Sequence, residues 1–316
     1  MKVHDGSTSL GQPKIAVVTS GTFDGVHVGH QKILSRLREI AREKGGETVV
    51  VTFWPHPRMV LRPDDDSLKL LSTFDEKAHL FEQQGIDHLV RIPFTKAFSQ
   101  LSSDEFIRKV LVDKIGTQYL VIGYDHRFGK NREGGFEYLK EHDAEYGFQV
   151  EEIPRQDIED VGVSSTKIRN ALEEGDIFTA NDYLGHPYHL QGEVVQGDQL
   201  GRSWGFPTAN LKVPEKYKLI PKDGIYACRV HWQGHLLEGM MYIGVRPTIN
   251  GIQRNIEVNI FDFDENLYGQ TLEVFFVGQI RDDMKFENVE LLKEQLGRDK
   301  VEAVKILSQI PAWLPS

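Results

Sequence analysis

From residue 14 to about residue 185, short apolar runs alternate with stretches whose apolar residues recur at helical spacing. "KIAVVTS" (Lys14–Ser20) and "ETVVVTF" (Glu47–Phe53) read as buried strands, valine-rich and bounded by polar turns. Between them Ile33, Leu34, Leu37, Ile40 and Ala41 fall on one helical face. "HLVRIPF", "YLVIGYD" and "FQVEEIP" read as further strands. Thr73 and Ser102, each followed three residues on by glutamate, start helices with capping boxes. Repeated βα units predict a mostly parallel sheet covered by helices on both faces, with its ligand at the carboxyl ends of the strands.

After "LGHPYH" (Leu184–His189) the rhythm changes. "LQGEVVQ", "GIYACRVHW", "LEGMMYIGV", "NIEVNIFDF" and "TLEVFFVGQI" are short strand-like runs separated by turn residues. They predict an antiparallel barrel or sandwich, closed by one long helix from Asn288 to about Leu307. The expected domains are residues 1–185 and 186–316.

Composition narrows the function. No apolar run is long enough to cross a bilayer, and the N-terminus has no hydrophobic block for a signal peptide. The single cysteine, Cys228, excludes an intrachain disulfide and a cysteine-based zinc site, and fits a cytoplasmic location. With 37 Lys+Arg against 47 Asp+Glu, the net charge of −10 disfavours broad nucleic-acid binding. Nothing implies a membrane or an obligate protein partner. Small anionic ligands need only a local pocket and stay admissible.

"GTFDGVHVGH" (Gly21–His30) leaves the first strand and enters the first helix. Amides at a helix start point outward unpaired and favour anions. Gly21, Gly25 and Gly29 let the backbone turn sharply and a phosphate come close. His27 and His30, three apart, share a face and can donate to one polyphosphate. A zinc site fits less well, for want of a third ligand at the usual spacing. "GYDHRFGKNREGG" (Gly123–Gly135) is not a phosphate loop, since five residues separate its glycines and Asn131 follows Lys130 where Ser or Thr would hold magnesium.

The first motif resembles the H-x-G-H nucleotidylyltransferases, a Rossmann-like family whose histidines bind ATP phosphates while a phosphorylated acceptor attacks the α-phosphorus. "SSTKIR" fits that family's second signature, and the resemblance assigns Ser165, Thr166 and Arg169, with Gly21, Phe23, Gly25 and Gly29, to phosphate binding. "GYDHRFG" is similar to the family's flavin-lining segment, which implies roles for Asp125 and Phe128, with His126 where an aromatic is usual. "FWPHP" resembles F-(D/E)-P-H-P, with Trp54 in place of the acid.

In "GDQLGRSWGFPTAN" (Gly197–Asn210), Thr208 and Asn210 lie two apart on an extended segment and face the same way. Their oxygens suit magnesium that also takes nucleotide phosphates. "GFPTAN", "KDGIYACRV", "IGVRPT" and "NIEVNIFDFDENLYG", in this order, resemble riboflavin kinase. That resemblance implies a β-barrel with Thr208 and Asn210 as Mg2+ ligands, Glu257 as the base for the flavin hydroxyl, and Gly201, Arg202 and Gly205 on the ATP side.

Together the motifs resemble the bacterial bifunctional riboflavin kinase/FMN adenylyltransferase family, with ATP, riboflavin and FMN as substrates. Two other readings remain: an adenylyltransferase for another phosphorylated acceptor, such as pantetheine phosphate or nicotinate mononucleotide, and a flavin- or nucleotide-binding regulator without turnover. The barrel motifs weigh against the first, the intact motif residues against the second.

Overall fold

The computed structural model describes residues 1–6, 15–123, 126–153, 162–197, 201, 204–248 and 251–312. By packing, the chain divides into two compact units, Met1–Ser165 and Thr166–Ser316.

The N-terminal unit is a six-stranded sheet in the order β1-β4-β3-β2-β5-β6, every pair parallel. Its strands are β1 (Lys2–Asp5), β2 (Ala16–Gly21), β3 (Glu47–Trp54), β4 (His88–Pro93), β5 (Thr117–Gly123) and β6 (Gln149–Ile153). Alternation along each strand feeds two cores. Ala16, Val18, Val49 and Val51 face α4 (Ser103–Phe106), its π-helical continuation Ile107–Ile115, and α5 (Phe136–Tyr146). Val17, Val50 and Leu89 face α1 (Val28–Lys44) and α3 (Phe74–Gln83). Both faces are buried, which is why the strands read as continuous apolar runs. A short helix, α2 (Pro57–Leu61), follows β3.

Thr73 and Ser102 each accept from the backbone N–H three residues on, while Glu76 and Glu105 accept in return from the capping residues' own N–H groups. The chain runs from β2 outward through β3 and β4, then returns to place β5 on the other side of β2. That reversal opens a crevice at the carboxyl ends of β2 and β5.

In the second unit, α6 (Ser165–Glu174, from its second residue) and α7 (Ile177–Leu184) precede a closed antiparallel barrel of order β10-β11-β8-β7-β12-β9. Its strands are β7 (His189–Val195), β8 (Ala209–Lys212), β9 (Gly224–Trp232), β10 (His235–Thr248), β11 (Gly251–Ile260) and β12 (Thr271–Asp282). Asn181 of α7 donates to the Phe276 carbonyl and accepts from the Tyr188 N–H, which ties α7 to the barrel. The last helix, α8 (Val289–Gln309), capped by Asn288, lies across β9, β10 and β12 and buries Ala303 and Leu307 against Ala227, Met240 and Val277. Gly278 sits in the irregular part of β12, where an added Cβ would stand 3.1 Å from Ile306 of α8. The buried Arg229 guanidinium donates to the carbonyls of Leu307, Ile310 and Pro311, closing the C-terminal end of α8.

Candidate active sites

At the carboxyl end of β2 the backbone takes an uncommon path. Phe23, Gly25 and Val26 all have positive φ, 47°, 81° and 42°. For phenylalanine and valine this conformation is strained, and it persists only where neighbours over-determine it. They do so here: the Gly25 N–H donates to Ser72 Oγ at 3.1 Å, and the Asp24 carboxylate accepts from the N–H groups of Leu71 and Ser72. Ser165 Oγ adds a bond of 3.0 Å to the Asp24 carbonyl.

His27 then caps α1, its Nδ1 accepting from the His30 N–H at 3.4 Å. An accepting Nδ1 leaves Nε2 as the protonated nitrogen of the neutral ring. The two imidazoles stack, centroids 3.6 Å apart and planes 16° from parallel, and Phe23 meets His30 edge-on at 5.1 Å. Burial, then His27, then Lys77 push His30 well below its ordinary value, so it is neutral at pH 7. Its Nδ1 is buried with no hydrogen-bond partner. The first turn of α1 contains no acidic residue. Stacked imidazoles, helix-start amides with no acid in the first turn, and glycine at positions 21, 25 and 29 make this turn suited to an anion.

After β5, His126 Nε2 lies 3.0 Å from Ser20 Oγ of β2, across the crevice. Phe128 is buried and packs on Phe106, centroids 5.6 Å apart. Asp125 lies outside the described residues, as does Arg202. Thr166 and Arg169 lie in the first half of α6.

In the barrel, Thr208 directly precedes β8, and Asn210 pairs with Glu257 of β11. Thr208 Oγ1 donates to Glu257 Oε2 at 3.2 Å. Gly201 and Gly197 pack their backbones where a Cβ would collide, Gly201 against the Phe206 carbonyl and Gly197 against the Asn210 side chain. Gly205 has φ 86°, a turn that glycine allows without strain. Two cavities meet at Thr208. One, of about 230 Å³, is walled by Trp204, Phe206, Met240, Leu292 and Leu296, with Glu257 at its edge. The other, of about 340 Å³, is lined by Pro207, Phe263, Asp264 and Tyr268. Asn259 is a residue that the motif reading passes over: it lines the first cavity and donates to the Pro207 carbonyl at 2.6 Å. Its signal was there, since it lies two residues after Glu257 and so on the same strand face.

The FAD synthetase family matches residues 10–167, and the riboflavin kinase family residues 184–307. Bifunctional riboflavin kinase/FMN adenylyltransferase of Bacillus subtilis is 36% identical over 300 residues, 93% of either chain. Its Listeria monocytogenes counterpart is 39% identical over 90% of either chain, and that of Escherichia coli 36% identical over 96% of this chain and 97% of its own. The chain belongs to the bifunctional riboflavin kinase/FMN adenylyltransferase family. It is therefore an enzyme, with an FAD synthetase region followed by a riboflavin kinase region. A Streptococcus pneumoniae crystal structure described as a macrolide-efflux protein matches with TM-score 0.86 at 31% identity, covering 95% of this chain and 98% of that one. No helix among the described residues is long and apolar enough to cross a membrane.

Proposed function

We propose that the C-terminal region phosphorylates riboflavin to FMN with ATP, and that the N-terminal region adenylylates FMN to FAD with release of pyrophosphate. One observation carries the reading: each unit brings together its own constellation suited to phosphate transfer, the His27–His30 stack at a strand-to-helix turn and the Thr208–Glu257 pair beside two cavities. We assign the activities to residues 1–185 and 186–316, the boundary drawn from the sequence rhythm.

For FAD formation, an FMN phosphate oxygen attacks the α-phosphorus of ATP, the α–β bridging bond breaks, and pyrophosphate leaves. No enzyme nucleophile is needed. His27 and His30 donate to the phosphates as charge shifts onto the leaving group, Gly21, Phe23, Gly25 and Gly29 shape the turn, and Ser165, Thr166 and Arg169 hold phosphate oxygens. Asp125 and Phe128 belong to the flavin side.

For FMN formation, Glu257 accepts the proton of the riboflavin primary hydroxyl as its oxygen attacks the γ-phosphorus, and ADP leaves. The cavity beside Glu257, walled by Trp204 and Phe206, suits the flat flavin ring, and the cavity with Phe263 and Tyr268 suits the nucleotide. Gly201, Arg202 and Gly205 lie on the ATP side. Thr208 and Asn210 offer two hard oxygens, a set that fits Mg2+ completing its shell with phosphates and water. When bound there, the ion supplies charge neutralisation to the phosphates.

The test is direct. Pure protein with riboflavin, ATP and magnesium should yield FMN and then FAD on chromatography. FAD formed only from supplied FMN would refute the kinase assignment, and FMN without FAD the adenylyltransferase assignment.

A further inference from the structure

Lysine normally keeps its ammonium in water. Lys77 of α3 does not: it is 1% exposed, on the inward helix stripe with Phe74 and Phe81. Its Nζ donates to the Thr22 carbonyl at 2.6 Å and lies 5.5 Å from the centre of the Trp54 ring. Thr22 immediately precedes Phe23, the first of the positive-φ residues. Lys77 therefore pins the entry to the strained turn, while Ser72 and the Leu71 and Ser72 amides hold its middle at Gly25 and Asp24. Lys77 is the cation among these ties, opposite the Asp24 carboxylate, and it acts on His30.

We propose that Lys77 is a positioning residue for adenylyl transfer, a buried cation behind the β2–α1 turn that fixes the Thr22 carbonyl and with it the entry to the turn. The inference rests on the adenylyltransferase reading above. The titratable and charged groups around the ammonium are Asp24 and His30 from the turn and α1, with His27 stacked beyond, and Glu76 beside it on α3; β3 presents the Trp54 ring. Burial pushes Lys77 down to about 8, with Asp24 pulling the other way. Charged below that pH, it loses its proton as pH rises, and its charge-assisted bond to the Thr22 carbonyl weakens to that of a neutral amine. Trp54 attracts the cation but adds no full negative charge.

The experiment measures FAD formation from FMN between pH 6 and 10, with riboflavin phosphorylation by the same protein as internal control. The parent should lose FAD-forming rate as pH passes about 8 while phosphorylation keeps its own profile. Lys77→Met should lower kcat for FAD formation about 10-fold or more and lose that alkaline limb, since a misplaced reacting group costs up to about 100-fold. Lys77→Arg, always charged, should lack the limb too. Trp54→Glu, which adds a carboxylate beside the ammonium, should move the limb up by about 1 pH unit. A parental rate and limb in Lys77→Met would overturn the inference. If that variant does not fold, Trp54→Glu decides, and an unmoved limb overturns it. A parent that forms no FAD at any pH overturns both this inference and the adenylyltransferase reading. A parent that forms FAD beside an indifferent Lys77→Met overturns the inference alone.

Discussion

Replacing His30 with alanine tests the central feature of the N-terminal site. In the folded chain this imidazole stacks on His27 at 3.6 Å and keeps a buried Nδ1 without a hydrogen-bond partner. A buried unsatisfied polar atom costs roughly 1–3 kcal/mol, and removing it offsets much of the penalty for the space left beside Phe23. Stability should therefore change by only about 1 kcal/mol. Catalysis should change far more, because losing one preorganised donor costs about 3–4 kcal/mol in the transition state, or 10²- to 10³-fold in kcat. The assay follows FMN to FAD by chromatography, with riboflavin phosphorylation by the same sample as control. The pH dependence gives a second readout. The unfolded chain binds a proton at His30 below pH 6.5, which the folded chain refuses because burial depresses the group. Stability from this source is fully present above pH 6.5 and is lost as pH falls below it, so the parent's urea midpoint should drop between pH 7 and 5 by more than the variant's. An FAD rate within about 3-fold of the parent, under 1 kcal/mol, would refute the donor role.

Three further outcomes are expected. Glu257→Gln should lower riboflavin phosphorylation by at least about 100-fold while FAD still forms from supplied FMN; a retained kinase rate removes Glu257 from the base role. Thr208→Ala should raise the magnesium needed for half-maximal phosphorylation by about 10-fold, and an unchanged titration counts against the ligand assignment. Arg229→Met leaves the carbonyls of Leu307, Ile310 and Pro311 without their donor, and should destabilise the barrel by about 2–4 kcal/mol in urea melts and raise KM for riboflavin, since Leu292 and Leu296 of α8 line the cavity proposed for the flavin.

Much of the fold was legible because local rules and global packing agree. The valine-rich strands of the parallel sheet lie where the apolar runs put them, and the capping boxes at Thr73 and Ser102 and the cap at Asn288 form as the spacing implies. β1 was not legible. It is a four-residue edge strand, mostly exposed, so nothing forces an apolar pattern on it. Spacing alone places Thr208 and Asn210 on one side of their segment, but that Glu257 faces them depends on a register between strands 47 residues apart. Local sequence does not encode such a pairing. Lys77 was hidden for the opposite reason. A lysine on a helix reads as solvent-facing, and only the tertiary structure shows that its position belongs to the buried stripe.

A chain with net charge −10 that must hold polyphosphates has to solve its electrostatics locally. At the N-terminal site the acid of the turn, Asp24, has its carboxylate taken up by the Leu71 and Ser72 amides and faces a buried lysine. The first turn of α1 carries no acid, and the histidine beside it is neutral. The donors offered to phosphate by this turn are thus backbone dipoles and imidazoles, with no lysine or arginine among them. Such groups act at contact range, whereas exposed charges interact over the Debye length, about 8 Å at physiological salt. KM for ATP in FAD formation should therefore rise by less than about 3-fold between 50 and 300 mM KCl, in contrast to the steep salt dependence of sites built from many lysines and arginines. A rise of 10-fold or more would mean that exposed cations, not the turn and its imidazoles, hold the triphosphate.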